Sequence, residues 1–156
     1  MRFLREIIGV AGVLAAFAVV QAFVGGRELE HVAPTTRLPN LPSSSLLASA
    51  GLGLMLVLYA WLGRIVARSG APAPSAAASG ALAGFAAGLV AGIAQAWLQA
   101  DFFRDVLLAY SLSDAFLGPL LIAIVIVEPL AGALTGGLVA WLSCVLLRPA
   151  RRVDPV

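Results

Sequence analysis

The sequence predicts an all-α fold. It is an integral membrane four-helix bundle, with both termini cytoplasmic and a short interfacial helix before the last span. Three observations predict this. First, 61% of the residues are hydrophobic, against roughly 45–50% in a soluble domain, and the mean hydropathy is +0.99. Second, the apolar residues gather in four runs, each near the ~20 residues that cross a bilayer. Third, residues 76–98 carry no charge and place a small residue at every fourth position: Ala76, Gly80, Gly84, Gly88, Gly92 and Ala96. An interior glycine costs a helix about 1 kcal/mol relative to alanine. In lipid, a small-residue stripe lets helix backbones approach closely. At 3.6 residues per turn the stripe drifts around the helix, which would let it serve two neighbours in succession.

The 156 residues suit one membrane domain, and the net charge is only +2. No basic run or basic–aromatic interleaving points to nucleic acid. The ten basic residues are all arginine. Cys144 is the only cysteine and His31 the only histidine. That excludes an intrachain disulfide, a cysteine metal cluster and a bis-histidine haem site. No cofactor and no metal is expected.

Span 1 is expected over residues 3–24. Arg2 and Arg5 before an apolar run imitate a signal peptide, and Ala16-Phe17-Ala18 imitates a cleavage site. The run over 7–24 exceeds a 7–15 residue signal core, so the span is expected to be retained. Gly25-Gly26 should end it. Residues 27–42 hold three prolines and mixed charge and read as a loop. Span 2 is expected over 45–66, with Ser43, Ser44 and Ser45 as N-caps. Tyr59 and Trp61 near its end, then Arg64 and Arg68, read as an interfacial aromatic followed by positive charge. The Pro-rich link over 69–75 makes spans 2 and 3 neighbours.

Span 3, over 76–100, is the glycine stripe, with Trp97 at its far interface. Residues 101–117 mix Asp101, Arg104 and Asp105 with Phe102, Phe103, Val106, Leu107 and Tyr110, the pattern of a short helix lying in the interface. Span 4 is expected over 119–147, with Pro119 at the first helical position. Its 29 residues would reach ~43 Å across a hydrocarbon core of ~30 Å. It must tilt, kink or protrude, and Pro129 supplies a kink. Ala60-Trp61-Leu62 ahead of Arg68 matches Ala140-Trp141-Leu142 ahead of Arg148, which fits a duplication of spans 1–2 as spans 3–4. It equally fits the common form of a cytoplasmic helix end.

Orientation follows from arginine. Seven (Arg2, Arg5, Arg64, Arg68, Arg148, Arg151, Arg152) fall on the side of the termini and three (Arg27, Arg37, Arg104) on the other. That puts both ends in the cytoplasm of a cell membrane, taken as a bacterial inner membrane.

Glu128 is the acidic residue deepest in a span, and a charge there costs ~2.5–3.5 kcal/mol, which makes it a functional candidate. Val125, Gly132, Thr135 and Gly136 share its helical face, a small and slightly polar one suited to the stripe of span 3. Gln21 and Gln95 fall at similar depth, and Gln99 lies one turn beyond Gln95. Together they could form one polar layer. One reading is a proton- or cation-sensitive site. The other is a neutral Glu128 donating to the Val125 carbonyl freed by Pro129, or to Gln95, as glue worth ~0.6 kcal/mol.

The remaining candidates are weaker. His31 with Glu28 gives two ligands, too few for a metal site. Asp101, Asp105 and Asp114 read as solvating the interface. Ser143 and Cys144 have no neighbouring base, so no catalytic residue is assigned and the chain is not expected to be an enzyme. Two functions follow. One is a non-catalytic subunit or oligomerising bundle, packed in a homo-oligomer or a larger membrane complex. The other is a small oligomeric transporter or channel with Glu128 on its path.

Overall fold

The computed structural model describes residues 3–29 and 42–147; Pro34, Pro39 and His31 of the first loop lie outside them. The described residues form helices and turns with no strand. The order is α1 (Leu4–Leu29), α2 (Pro42–Arg68), α3 (Ala73–Leu98), α4 (Ala100–Ala109), a 3₁₀ turn (Asp114–Phe116) and α5 (Leu117–Leu146). Four helices, α1, α2, α3 and α5, are long and apolar enough to cross a membrane.

Local chemistry sets the helix ends. Gly70 adopts φ 72°, left-handed backbone that glycine enters at no steric cost, and this closes α2. Pro72 is extended at ψ 151° and caps the start of α3. Gln99, at φ −115° and ψ 8°, breaks α3 from α4. At the end of α4, Ser111 takes φ 57°, and the Leu112 N–H donates to the Leu107 carbonyl at 2.8 Å. The Ser113 hydroxyl accepts from the Ala115 N–H at 3.2 Å, which opens the 3₁₀ turn.

Several boundaries differ from the sequence expectation. Helix α1 runs through Gly25-Gly26 to Leu29. Both glycines are buried, and a Cβ on Gly26 would lie 3.1 Å from the Leu98 carbonyl oxygen. Gly26 lets α1 approach the end of α3, and the pair does not stop the helix. Helix α2 starts at Pro42, so the serines occupy its first turn rather than cap it. The Ser43 N–H is met instead by Glu28 Oε1 at 3.0 Å, a carboxylate placed at the positive end of the helix dipole. Helix α5 starts at Leu117. Pro119 is therefore its third residue, still in the first turn, where no N–H is needed.

The four long helices form a ring in the order α1, α3, α5, α2, with α2 also touching α3 across it. The most extensive interface is α3 on α5. A Cβ at Gly80 would strike the Gly136 carbonyl, and one at Gly84 the Gly132 carbonyl. At Gly88 it would lie 2.5 Å from the Glu128 carbonyl oxygen and 2.7 Å from Pro129 Cα, and at Gly92 3.0 Å from Val125 Cα. All four glycines of the stripe thus meet α5, and Gly84 also lies against the Tyr59 hydroxyl of α2. The partner positions 136, 132 and 128 are also spaced by four. Rows of that spacing run obliquely to a helix axis, and two such rows stay in register when the helices cross along them.

A Cβ on Gly63 would strike the Ala140 carbonyl, which brings α2 equally close to α5. One buried cluster joins Val10 and Leu14 of α1, Tyr59 and Leu62 of α2, and Ala83 and Ala87 of α3. A second joins Val66, Ala67, Ala76, Ala140 and Cys144 near the α2–α3 turn. The half of the bundle at that turn is therefore closed.

Candidate functional site

The opposite half is not closed. Residues 45–50 of α2 include no buried residue, whereas Tyr59, Leu62, Gly63, Val66 and Ala67 on the same helix are buried. Between this loosely packed half-helix and the rest of the ring lies a cavity of about 380 Å³ lined by all four long helices. Gln21 comes from α1, Gln95 from α3, and Glu128 and Thr135 from α5. Apolar side chains, among them Leu14, Phe17, Leu52 and Met55, supply most of the rest.

The site is built by close approach. Gly84 and Gly88 on α3, and Gly132 on α5, line it while their backbones touch across the α3–α5 contact. Gly88 sits against the Glu128–Pro129 backbone, which fixes the height at which the carboxylate leaves α5. On the other side, a Cβ at Gly51 would lie 2.8 Å from the Phe17 ring and 3.3 Å from Gln21 Oε1. Helix α2 therefore holds Phe17 and Gln21 in place. Tyr59, 1% exposed, lines the end of the cavity nearest the closed half.

Gln21, Gln95, Glu128 and Thr135 share one wall system, but Gln99 does not line the cavity, because it sits at the break between α3 and α4. Among the described residues, no side-chain hydrogen bond involves Glu128, Gln21, Gln95 or Thr135. The bonds considered for a structural Glu128, to the Val125 carbonyl or to Gln95, are thus not made. Of the helix-packing glycines, Gly80 and Gly136 lie below the cavity in the closed half, and Gly92 packs beside it on Val125.

Sequence reasoning missed Tyr59, which reads as an interfacial aromatic yet is in the core. The signal was the spacing of Tyr59, Leu62 and Val66, one apolar face at i, i+3 and i+7. It also passed over Glu6, on the face of α1 that carries Phe3, Ile7 and Val10 inward. Glu6 Oε2 is buried without a hydrogen-bond partner. Trp61, Trp97 and Trp141 are all exposed. Arg104 meets Asp101 at 3.4 Å on the surface of α4, and Arg27 lies 5.3 Å from the centre of the Phe23 ring. Among the described residues no group of His, Cys, Asp or Glu could hold a metal ion. No family model matches the chain, nor does any curated protein or solved structure. Among the described residues, the fold is a helical bundle with four helices long and apolar enough for a multi-pass membrane protein, and its cavity is lined by apolar residues and a few polar side chains.

Proposed function

We propose that this protein is a small oligomeric membrane transporter that binds a cationic or protonatable solute in its cavity, with Glu128 as the counter-charge. One observation carries the reading: a single carboxylate and four neutral polar side chains, Gln21, Tyr59, Gln95 and Thr135, converge from all four long helices on an otherwise apolar cavity. A few convergent polar groups in an apolar pocket are the general form of a ligand site. An unpaired carboxyl at membrane depth is costly and is kept where it serves a path. Four spans seldom enclose a route alone, so the working unit is taken as more than one copy. On this reading no covalent chemistry occurs.

The test is flux into liposomes carrying a trapped pH dye. Wild-type protein should couple an inward amine gradient to proton movement. Glu128→Gln should lower that flux about tenfold or more, as expected when a charge interaction of ~1.4 kcal/mol or greater is lost. Equal flux from both would remove Glu128 from the path.

The reading as a non-catalytic subunit draws on a different observation. The first half of α2 exposes Leu46 and Leu52, with Leu56 and Val57 exposed just beyond it, and has little of this chain packed on it. If that half meets a larger partner, gentle extraction should yield a mass greater than any multiple of this chain. A mass built of this chain alone supports the transporter.

Topology belongs to the same proposal. With both termini cytoplasmic, a cysteine at Thr35 in a Cys144→Ala background should react with an impermeant thiol reagent in intact cells. One at Pro72 should not. The reverse pattern inverts the orientation.

A further inference from the structure

The cavity's lining residues on α1 and α3 are buried or half-buried, but three on α2 and α5 are exposed: Ala48, Leu52 and Ala131. Leu52 is 55% exposed. Helices α2 and α5 meet through Tyr59 on Gly136 and Gly63 on Ala140. Beyond Tyr59 they part, and the three exposed residues stand on either side of the gap.

Depth decides what this gap faces. Leu52 follows the start of α2 at Pro42 by ten residues, ~15 Å along the helix. Ala131 follows the start of α5 at Leu117 by fourteen, ~21 Å. Both distances fall well inside a hydrocarbon layer of ~30 Å. An opening at that depth faces acyl chains, not water.

The lining narrows the ligand. A divalent metal ion is held by six or more oxygens, with carboxylates supplying the counter-charge, and the cavity sets a single carboxylate beside the neutral side chains of Gln21, Gln95, Thr135 and Tyr59, which balances one positive charge and not two. Leu14, Phe17, Leu52 and Met55 instead offer apolar surface and one aromatic face, which suits a cation carrying its own apolar body. Such a molecule also partitions into the bilayer, where the gap is. We propose that the cavity takes a monocation with an apolar body, and that this ligand reaches Glu128 sideways from the bilayer through the gap between α2 and α5. The inference rests on the cationic reading above and adds the ligand's class and its route.

Carboxyl labelling tests both in protein reconstituted in zwitterionic nanodiscs. Mass spectrometry of the Glu128 peptide reports modification by apolar dicyclohexylcarbodiimide and by a water-soluble carbodiimide. The apolar reagent should label Glu128 and the water-soluble one should not. Ala131→Trp, at an exposed position, should slow labelling several-fold while the protein elutes as wild type. Leu52→Trp repeats the block from the other side of the gap. Benzyltriethylammonium should protect Glu128, and tetramethylammonium should not.

Equal labelling by the two reagents, no labelling by either, or unchanged rates in both tryptophan variants would overturn the lateral route. Equal protection by the two ammonium ions would overturn the apolar-body requirement and leave the cationic site standing. Protection by neither would remove the cationic site itself, and the proposal with it.

Discussion

Gly84→Leu is expected to leave little folded protein after extraction in mild detergent. The reason is visible before any leucine side chain is considered. The Cβ alone would strike the Gly132 carbonyl and lie 2.9 Å from the Tyr59 hydroxyl. A carbonyl in a helix cannot turn aside, so the whole α3–α5 interface would have to open. Gly88→Leu meets the Glu128 carbonyl and Pro129 Cα and should behave alike. Even Gly84→Ala should destabilise by the 1–3 kcal/mol or more typical of overpacking, despite a gain of about 1 kcal/mol in helix propensity.

The controls come from the same residue type. Gly9, Gly12 and Gly53 have nothing within 4 Å of an added Cβ, so alanine there should be neutral or stabilising. Leu82 is 59% exposed, and Leu82→Ala should cost little. The measurement is the fraction of monodisperse protein remaining after a heating series. Tolerance of leucine at both Gly84 and Gly88 would mean that the α3–α5 approach does not hold the bundle together.

How much of this was legible in the sequence depends on which interaction set each feature. The four spans were legible because length and apolar content alone define them. The α3–α5 contact was legible too. A stripe of glycines has one physical use in lipid, and the face of α5 bearing Gly132 and Gly136 was the small-residue face on offer. The depth of Gln21, Gln95 and Glu128 could be counted along their spans.

Other features depended on neighbours. Gly25-Gly26 reads the same whether it stops a helix or admits another backbone, and only Leu98 decides. Tyr59 lies five residues before Arg64 and so resembles a belt residue, until the rotation of α2 turns it inward. Gln99 shares a face with Gln95 only if the helix continues, and it does not. Least legible was the cavity's opening. Ala48, Ala50, Gly51 and Gly53 look like residues for tight packing, yet only Gly51 meets a neighbour closely, and the rest of that half-helix stands apart.

Tyr59→Ala should have the second large effect, and a double one. The side chain is 1% exposed and touches both halves of the bundle: the buried cluster with Val10, Leu14 and Leu62 on one side, the cavity on the other. Truncation removes a buried aromatic, a loss worth about 3–5 kcal/mol. It also extends the cavity toward the closed half. In liposomes the variant should therefore leak protons without any solute gradient, where the wild type holds them. Tyr59→Phe separates the two roles of the residue. It keeps the ring and should keep both the seal and the stability, because among the described residues the hydroxyl makes no hydrogen bond. If Tyr59→Phe also weakens protection of Glu128 by an ammonium ligand, the hydroxyl is part of the binding site. If Tyr59→Ala stays tight to protons, then Val10, Leu14 and Leu62 close the bundle unaided, and any coupled movement must pass a barrier set by those three side chains.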